Sequence, residues 1–297
     1  MAENVKALRR RLRSVKNTKQ ITRAMEMVSA AKLRRAEELL RAGRPYAAKL
    51  QEFLGHLAAS ATTDHPYFEL REVAHRTLVL VTADRGLAGA FNNALIKRAE
   101  AVLRQPGAPP TSLVCLGRKG YDYFRNREWP IAFQVTDFAG RCSGARAAEI
   151  ADRLAGAFIA RETDEILVLA NTFVSMLVYR PIAFKLLPLD PAELLGGAED
   201  DAHGHGVHHP PTDYILEPSP AAVFASILPR YVRSRLYMTL LDSFTAEHSA
   251  RRTAMNSATK NCGELIDSLS LRMNKARQAA ITKEILEVVA GADALKG

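Results

Sequence analysis

The sequence predicts a small α/β domain inserted between the two halves of a long antiparallel two-helix coiled coil. Three observations carry this. From Tyr231 to Val289 there is no proline and one glycine, Gly263, while Ile266, Leu269, Met273, Ala276 and Ala280 recur in steps of three and four. The first fifty-odd residues hold a similar stripe. Between them, short apolar runs alternate with amphipathic segments.

The N-terminal helix is predicted over residues 4 to about 57. Asn4 is a possible N-cap, and Val5, Leu8, Leu12 and Val15 keep the three-four spacing. Ile21, Met25 and Val28 resume it one residue out of step, after the polar stretch SVKNTKQIT. Gly43 and Pro45 mark a kink or a helix-helix joint, and DHPYF at 64–68 ends the unit. The C-terminal helix is expected from Ser219, which can cap it, with Pro220 in the first turn and Pro229 at a bend. Its straight part alone would be about 88 Å long at 1.5 Å per residue. Neither helix hides its apolar stripe alone, so the simplest partner for each is the other. The alternative is that each end packs on a separate partner chain.

In the middle, TLVLVTA (77–83), SLVCLG (112–117), IAFQVTDF (131–138) and DEILVLANTFVS (164–175) read as strands, with LVYRPIAFKLLPL (177–189) a fifth, antiparallel to the fourth. FNNALIKRAEAVLRQ, RKGYDYFRNRE and SGARAAEIADRLAGAFIARE read as the helices between them. The result is a Rossmann-like, mostly parallel sheet covered on both faces. The expected division is a coiled-coil helix over 1–60, the α/β domain over 75–190, a flexible His-rich loop over 190–213 and the second coiled-coil helix over 219–290.

Composition narrows the class. Of the net charge of +9, residues 1–50 carry +10, from fourteen Lys or Arg against four Glu, which leaves −1 for the rest. The basic character belongs to one helix. An acidic protein partner accounts for it, and so does a solvated helix face; a nucleic-acid role lacks interleaved aromatics and any recognised motif. Cys115, Cys142 and Cys262 are scattered and never form a CxxC pair, which argues for a reducing compartment and against a zinc site. The most apolar stretch, Ile166 to Tyr179, is too short to span a bilayer and contains Asn171, Thr172 and Ser175.

Two motifs invite chemistry. DRGLAGAFN (84–92) follows a strand and opens a helix, as phosphate-binding loops do, but it has neither GK[ST] nor GxGxxG. Its glycines are read as shaping a tight turn, and no cofactor is expected. HGHGVHH (203–209), behind Glu199, Asp200 and Asp201, is glycine-spaced and followed by two prolines, so it is read as a solvated loop rather than a metal centre. Asp84 with Arg85, and Glu247 with His248, are neighbours but form no catalytic constellation, since adjacent helix residues point in different directions.

RRRLRSVKNTKQITRAMEMVSAAKLRRA at the front and AMNSATKNCGELIDSLSLRMNKARQAAITKEILEVVAGADAL at the back resemble the gamma subunit of bacterial F-type ATP synthases. VTADRGLAGAFN and DYILEPSP extend the resemblance through the whole chain in the right order. The resemblance implies a non-catalytic rotor. Its coiled coil would run up a ring of three alpha and three beta subunits, and its α/β domain would sit against epsilon and the c-ring. Proton-driven rotation would then drive the beta subunits through their states for ATP synthesis, with the nucleotides held on alpha and beta. It also implies a peripheral position on the cytoplasmic side of the cell membrane.

By motif, the resemblance places Met25, Arg251, Arg277, Gln278, Thr282 and Glu284 at the beta subunits, and Tyr214 and Glu217 at the foot facing the c-ring and epsilon. The chain departs from the family pattern in several places. Ala88 and Ala90 stand where cysteine and glycine are common, Met273 where tyrosine usually precedes NKARQ, and Arg252 where an apolar residue is expected.

Overall fold

A computed structural model describes residues 5–60, 65–176, 178–191, 194 and 217–294. Helix α1 spans Val5–Ser60 and the last helix, α5, Pro220–Ala294. Between them lie β1 (Arg76–Val81), α2 (Phe91–Leu103), β2 (Thr111–Leu116), α3 (Arg118–Phe124), β3 (Ile131–Val135), α4 (Gly144–Ile159), β4 (Glu165–Phe173) and β5 (Tyr179–Leu187). Contacts divide the chain into two units, Ala30–Arg251 and the end segments Met1–Ser29 with Arg252–Gly297.

In the larger unit the sheet order is β3-β2-β1-β4-β5. The first four strands run parallel and β5 runs antiparallel to β4, as expected. The central strands are apolar on both faces because both are covered. On one side Leu78, Leu80, Leu113 and Cys115 pack with Leu95, Ala99 and Phe124 of α2 and α3. On the other, Val79, Val81, Val114 and Val168 meet Ile150, Leu154 and Phe158 of α4, and Phe224, Leu228, Leu236 and Phe244 of α5. Burial pushes the Cys115 thiol up to about 12, which keeps it protonated.

One expectation about the helices changes and one holds. Gly43 and Pro45 do not interrupt α1, which runs through both. Gly43 instead permits close helix packing, because a Cβ there would lie 2.7 Å from the Met238 sulfur of α5. Ser219 does cap α5, its hydroxyl accepting from the Ala222 N–H at 3.2 Å.

In the smaller unit the two helix segments run antiparallel. Leu8, Leu12 and Leu269 form its apolar core, with Val15, Ile266, Met273 and Ala276 packed against them. The predicted stripe through Ile21 and Val28 is wrong: they are 60% and 56% exposed. The seam keeps step with Val15 and passes through the polar residues one place further on, Thr22 and Ser29, which are buried. Thr259 donates to Thr22 across the pair at 2.8 Å, and Asn256 donates to Glu26 at 2.9 Å. Ala280 does not join the seam; every residue from Arg277 to Gly291 is exposed. No described helix is long and apolar enough to cross a membrane.

Candidate functional site

In an open α/β sheet, ligands bind beyond the carboxyl ends of the strands where the chain order reverses. Here that point lies beside β1, whose neighbours are β2 on one side and β4 on the other. The turn leaving β1 carries DRGLAGAFN, and the structure shows what fills the space above it. Ala246 and Ala250 of α5 pack directly on Ala83, Ala88 and Phe91. Small residues on the helix let its backbone come close, so the crevice is occupied by the protein's own C-terminal helix.

A polar cluster completes the contact. Arg251, 8% exposed, donates from Nε to the Gly86 carbonyl at 3.3 Å and from Nη2 to the Arg85 carbonyl at 3.1 Å. Its Nη1 pairs with Glu247 at 2.8 Å. Glu247 is 4% exposed; burial pushes its carboxyl up, Arg251 opposes that, and Asp84 adds to it. The geometry of the turn is shared between Gly89 and Leu87, at φ of 59° and 62°, and the Asn92 side chain accepts from the Ala83 N–H at 2.9 Å.

Asp84 faces the loop after β3. Its carboxylate accepts from the backbone N–H groups of Arg118, Asp137 and Ala139 at 3.1, 3.1 and 2.9 Å. That loop holds Asp137, Ala139 and Gly140 at φ of 65°, 52° and 73°. His248 Nε2 lies 3.0 Å from the Gly140 carbonyl, and its Nδ1 is buried with no hydrogen-bond partner among the described residues. Burial lowers the His248 pKa to about 4, so the ring is neutral and Nε2–H is the donor.

The sign of the pH effect follows. Unfolded His248 titrates near 6.5, whereas the folded ring stays neutral down to about 4. Between those values the unfolded chain binds the extra proton, so this contribution is full above 6.5 and is lost as pH falls through 4. From pH 7 to pH 5 the chain should lose about 2 kcal/mol relative to His248→Gln. Urea melts of the two proteins at both pH values check this; equal losses would contradict it.

The residues singled out by resemblance do not form one cluster. Arg251 lies in the buried network just described, bonded within its own chain. Met25 is half-buried on α1, while Arg277, Gln278, Thr282 and Glu284 are exposed on α5. Glu217 is exposed before α5; Tyr214 and the 203–209 histidines lie outside the described residues. No group of three metal-ligating side chains occurs among the described residues. The Glu247–His248–Arg251 set escaped sequence reasoning because α5 is enclosed there: every residue from Ala246 to Arg251 is buried.

Within the larger unit the fold is an open α/β sheet whose crevice is filled by the chain's own C-terminal helix. The comparisons name the family. A family profile described as ATP synthase matches residues 4–295. The ATP synthase gamma chain of Symbiobacterium thermophilum is 44% identical over 300 residues, covering 100% of both chains. That of Moorella thermoacetica is 45% identical over 295 residues, covering 99% of each. The chain belongs to the ATP synthase gamma chain family.

Solved structures share the fold. A chain of the Euglena gracilis mitochondrial ATP synthase (OSCP/F1/c-ring) superposes with a TM-score of 0.68 at 19% identity, covering 98% of this chain and 94% of that one. A chain of the Tetrahymena thermophila mitochondrial ATP synthase, from its central stalk and c-ring, gives 0.59 at 23% identity, covering 80% and 99%.

Proposed function

We propose that this chain is the central-stalk rotor of a bacterial ATP synthase, passing rotation of a c-ring to the catalytic beta subunits and so coupling proton flow to ATP synthesis. The observation that carries the reading is a helix too long for its own fold. From Arg277 to Gly291 the described end of α5 is exposed along its whole length, yet it bears Ile281, Ile285, Leu286, Val288 and Val289. Such a surface needs a partner that buries it without ion pairs that would hold one angle.

In this reading residues 1–60 and 219–290 are the shaft and 75–190 the body that meets the c-ring and epsilon; most of 190–213 lies outside the described residues. Three alpha and three beta subunits surround the shaft. Met25, Arg277, Gln278, Thr282 and Glu284 meet the beta subunits, and Tyr214 and Glu217 the foot. Arg251, engaged inside its own chain, serves that interface through the turn it holds. The complex lies on the cytoplasmic side of the cell membrane, with this chain peripheral to it.

Reconstitution with alpha and beta subunits tests the reading. ATP hydrolysis by the ring should depend on this chain, and indifference to it would refute the rotor role. Deleting residues 281–297 should shift the melting temperature of the isolated chain by no more than about 2 °C, because exposed surface residues contribute little to stability. The same deletion should cut ATP-driven proton pumping by the assembled complex about tenfold or more, the scale of one lost 1.4 kcal/mol contact. A truncated chain that does not fold would mean the tip belongs to its own core.

A further inference from the structure

The loop that follows β3 is held in an unusual way. Asp137, Ala139 and Gly140 all adopt left-handed backbone conformations, which non-glycine residues rarely do. Strain of this kind persists only where the surroundings over-determine it. Here three elements do so. Asp84, after β1, takes the Asp137 and Ala139 N–H groups. Lys32 of α1 donates to the Ala139 carbonyl at 3.2 Å. His248 of α5 donates to the Gly140 carbonyl, and a Cβ on Gly140 would lie 2.4 Å from its ring.

We infer that the 137–140 loop, the Asp84 turn and the Glu247–Arg251 turn of α5 form a torque lock, which ties the sheet to both long helices through directional contacts. The inference rests on the rotor reading above and locates the joint within it. Elsewhere α5 meets the sheet mainly through apolar side chains, whose attraction is non-directional and tolerates sliding. Thr172 of β4 also donates to Asp242 at 3.4 Å, and Ser249 donates to the Met176 carbonyl between β4 and β5. Hydrogen bonds with fixed donors and acceptors, charge-assisted at Arg251 and Asp84, resist rotation of the helix about its own axis. Thermodynamic stability is a poor explanation for the cluster, since buried ion pairs are often no better than apolar packing of the same volume. His248 and Asp84 are positioning residues that seat the loop through the Gly140 carbonyl and the Asp137 and Ala139 N–H groups.

The test uses the complete ATP synthase in vesicles, measuring ATP hydrolysis and proton pumping against an opposing gradient. His248→Leu should keep hydrolysis within about twofold while protons moved per ATP fall about threefold to tenfold, the factor one lost hydrogen bond is worth. His248→Gln, which retains a donor for Gly140, should restore most of the ratio. Lys32→Met provides a second variant, outside the apolar core, with the same expected direction.

Hydrolysis and pumping that fall together, or a ratio that does not move in either His248→Leu or Lys32→Met, would overturn the lock. Failure of the rotor reading looks different: the unaltered chain would then make no difference to pumping.

Discussion

Replacing Arg251 with alanine should destabilise the isolated chain by about 3–5 kcal/mol, because it leaves a buried carboxylate without its partner. Glu247 is 4% exposed and pairs with Arg251 at 2.8 Å. Without the guanidinium, nothing would oppose the burial that already pushes its carboxyl upward, apart from the more distant Lys32. The Arg85 and Gly86 carbonyls would lose their donor as well. Arg251→Ala combined with Glu247→Leu should recover part of the loss by removing the stranded charge. Denaturant melts of the single and double variants check this. An Arg251→Ala protein as stable as the parent would show that the buried pair contributes nothing.

Gly117→Ala should cost at least as much, about 4 kcal/mol or more, and reduce soluble expression. Gly117 ends β2 and opens α3 with φ of 111°, and a Cβ there would sit 1.9 Å from the Thr82 carbonyl oxygen. That oxygen belongs to the backbone and has no rotamer to escape into. The contact also lies inside a fixed arrangement, because Gly120 N–H donates to the Thr82 hydroxyl and that hydroxyl donates to the Gly117 carbonyl. Gly144→Ala is the matched control: nothing lies within 4 Å of its Cβ, at the start of α4. It should be neutral or slightly stabilising. Thermal melts of the two variants decide the point, and similar melting temperatures would contradict it.

The sheet was legible because its central strands are apolar on both faces, which marks them as short uninterrupted runs bounded by glycine, proline or charge. The parallel order followed from the helices between them. The coiled-coil seam was half legible. Leu8, Leu12 and Leu269 announce themselves, but beyond Val15 the seam turns polar, and exposed Ile21 and Val28 drew the reading to the wrong face. Hydrophobic periodicity cannot see a seam made of Thr22 and Ser29 that is satisfied by hydrogen bonds. The site was least legible. Glu247, His248 and Arg251 look like the solvated face of an amphipathic helix, and only the three-dimensional enclosure of α5 turns them inward. Sequence did show that the 84–92 turn lacks a nucleotide fingerprint, though not that a helix from the far end of the chain fills its crevice.

The polar section of the seam also acts as a vernier along the shaft. Apolar heptads are nearly interchangeable, so a coiled coil built from them alone could slip by seven residues, about 10 Å, with little penalty. Here such a slip would set Thr22 against Ile266 and pull Glu26 away from Asn256, breaking two cross-helix hydrogen bonds. Axial alignment is therefore fixed by Thr22, Glu26, Asn256 and Thr259. The overhang of α5 past the start of α1 has one length, set by four polar side chains rather than by the leucines that hold the helices together.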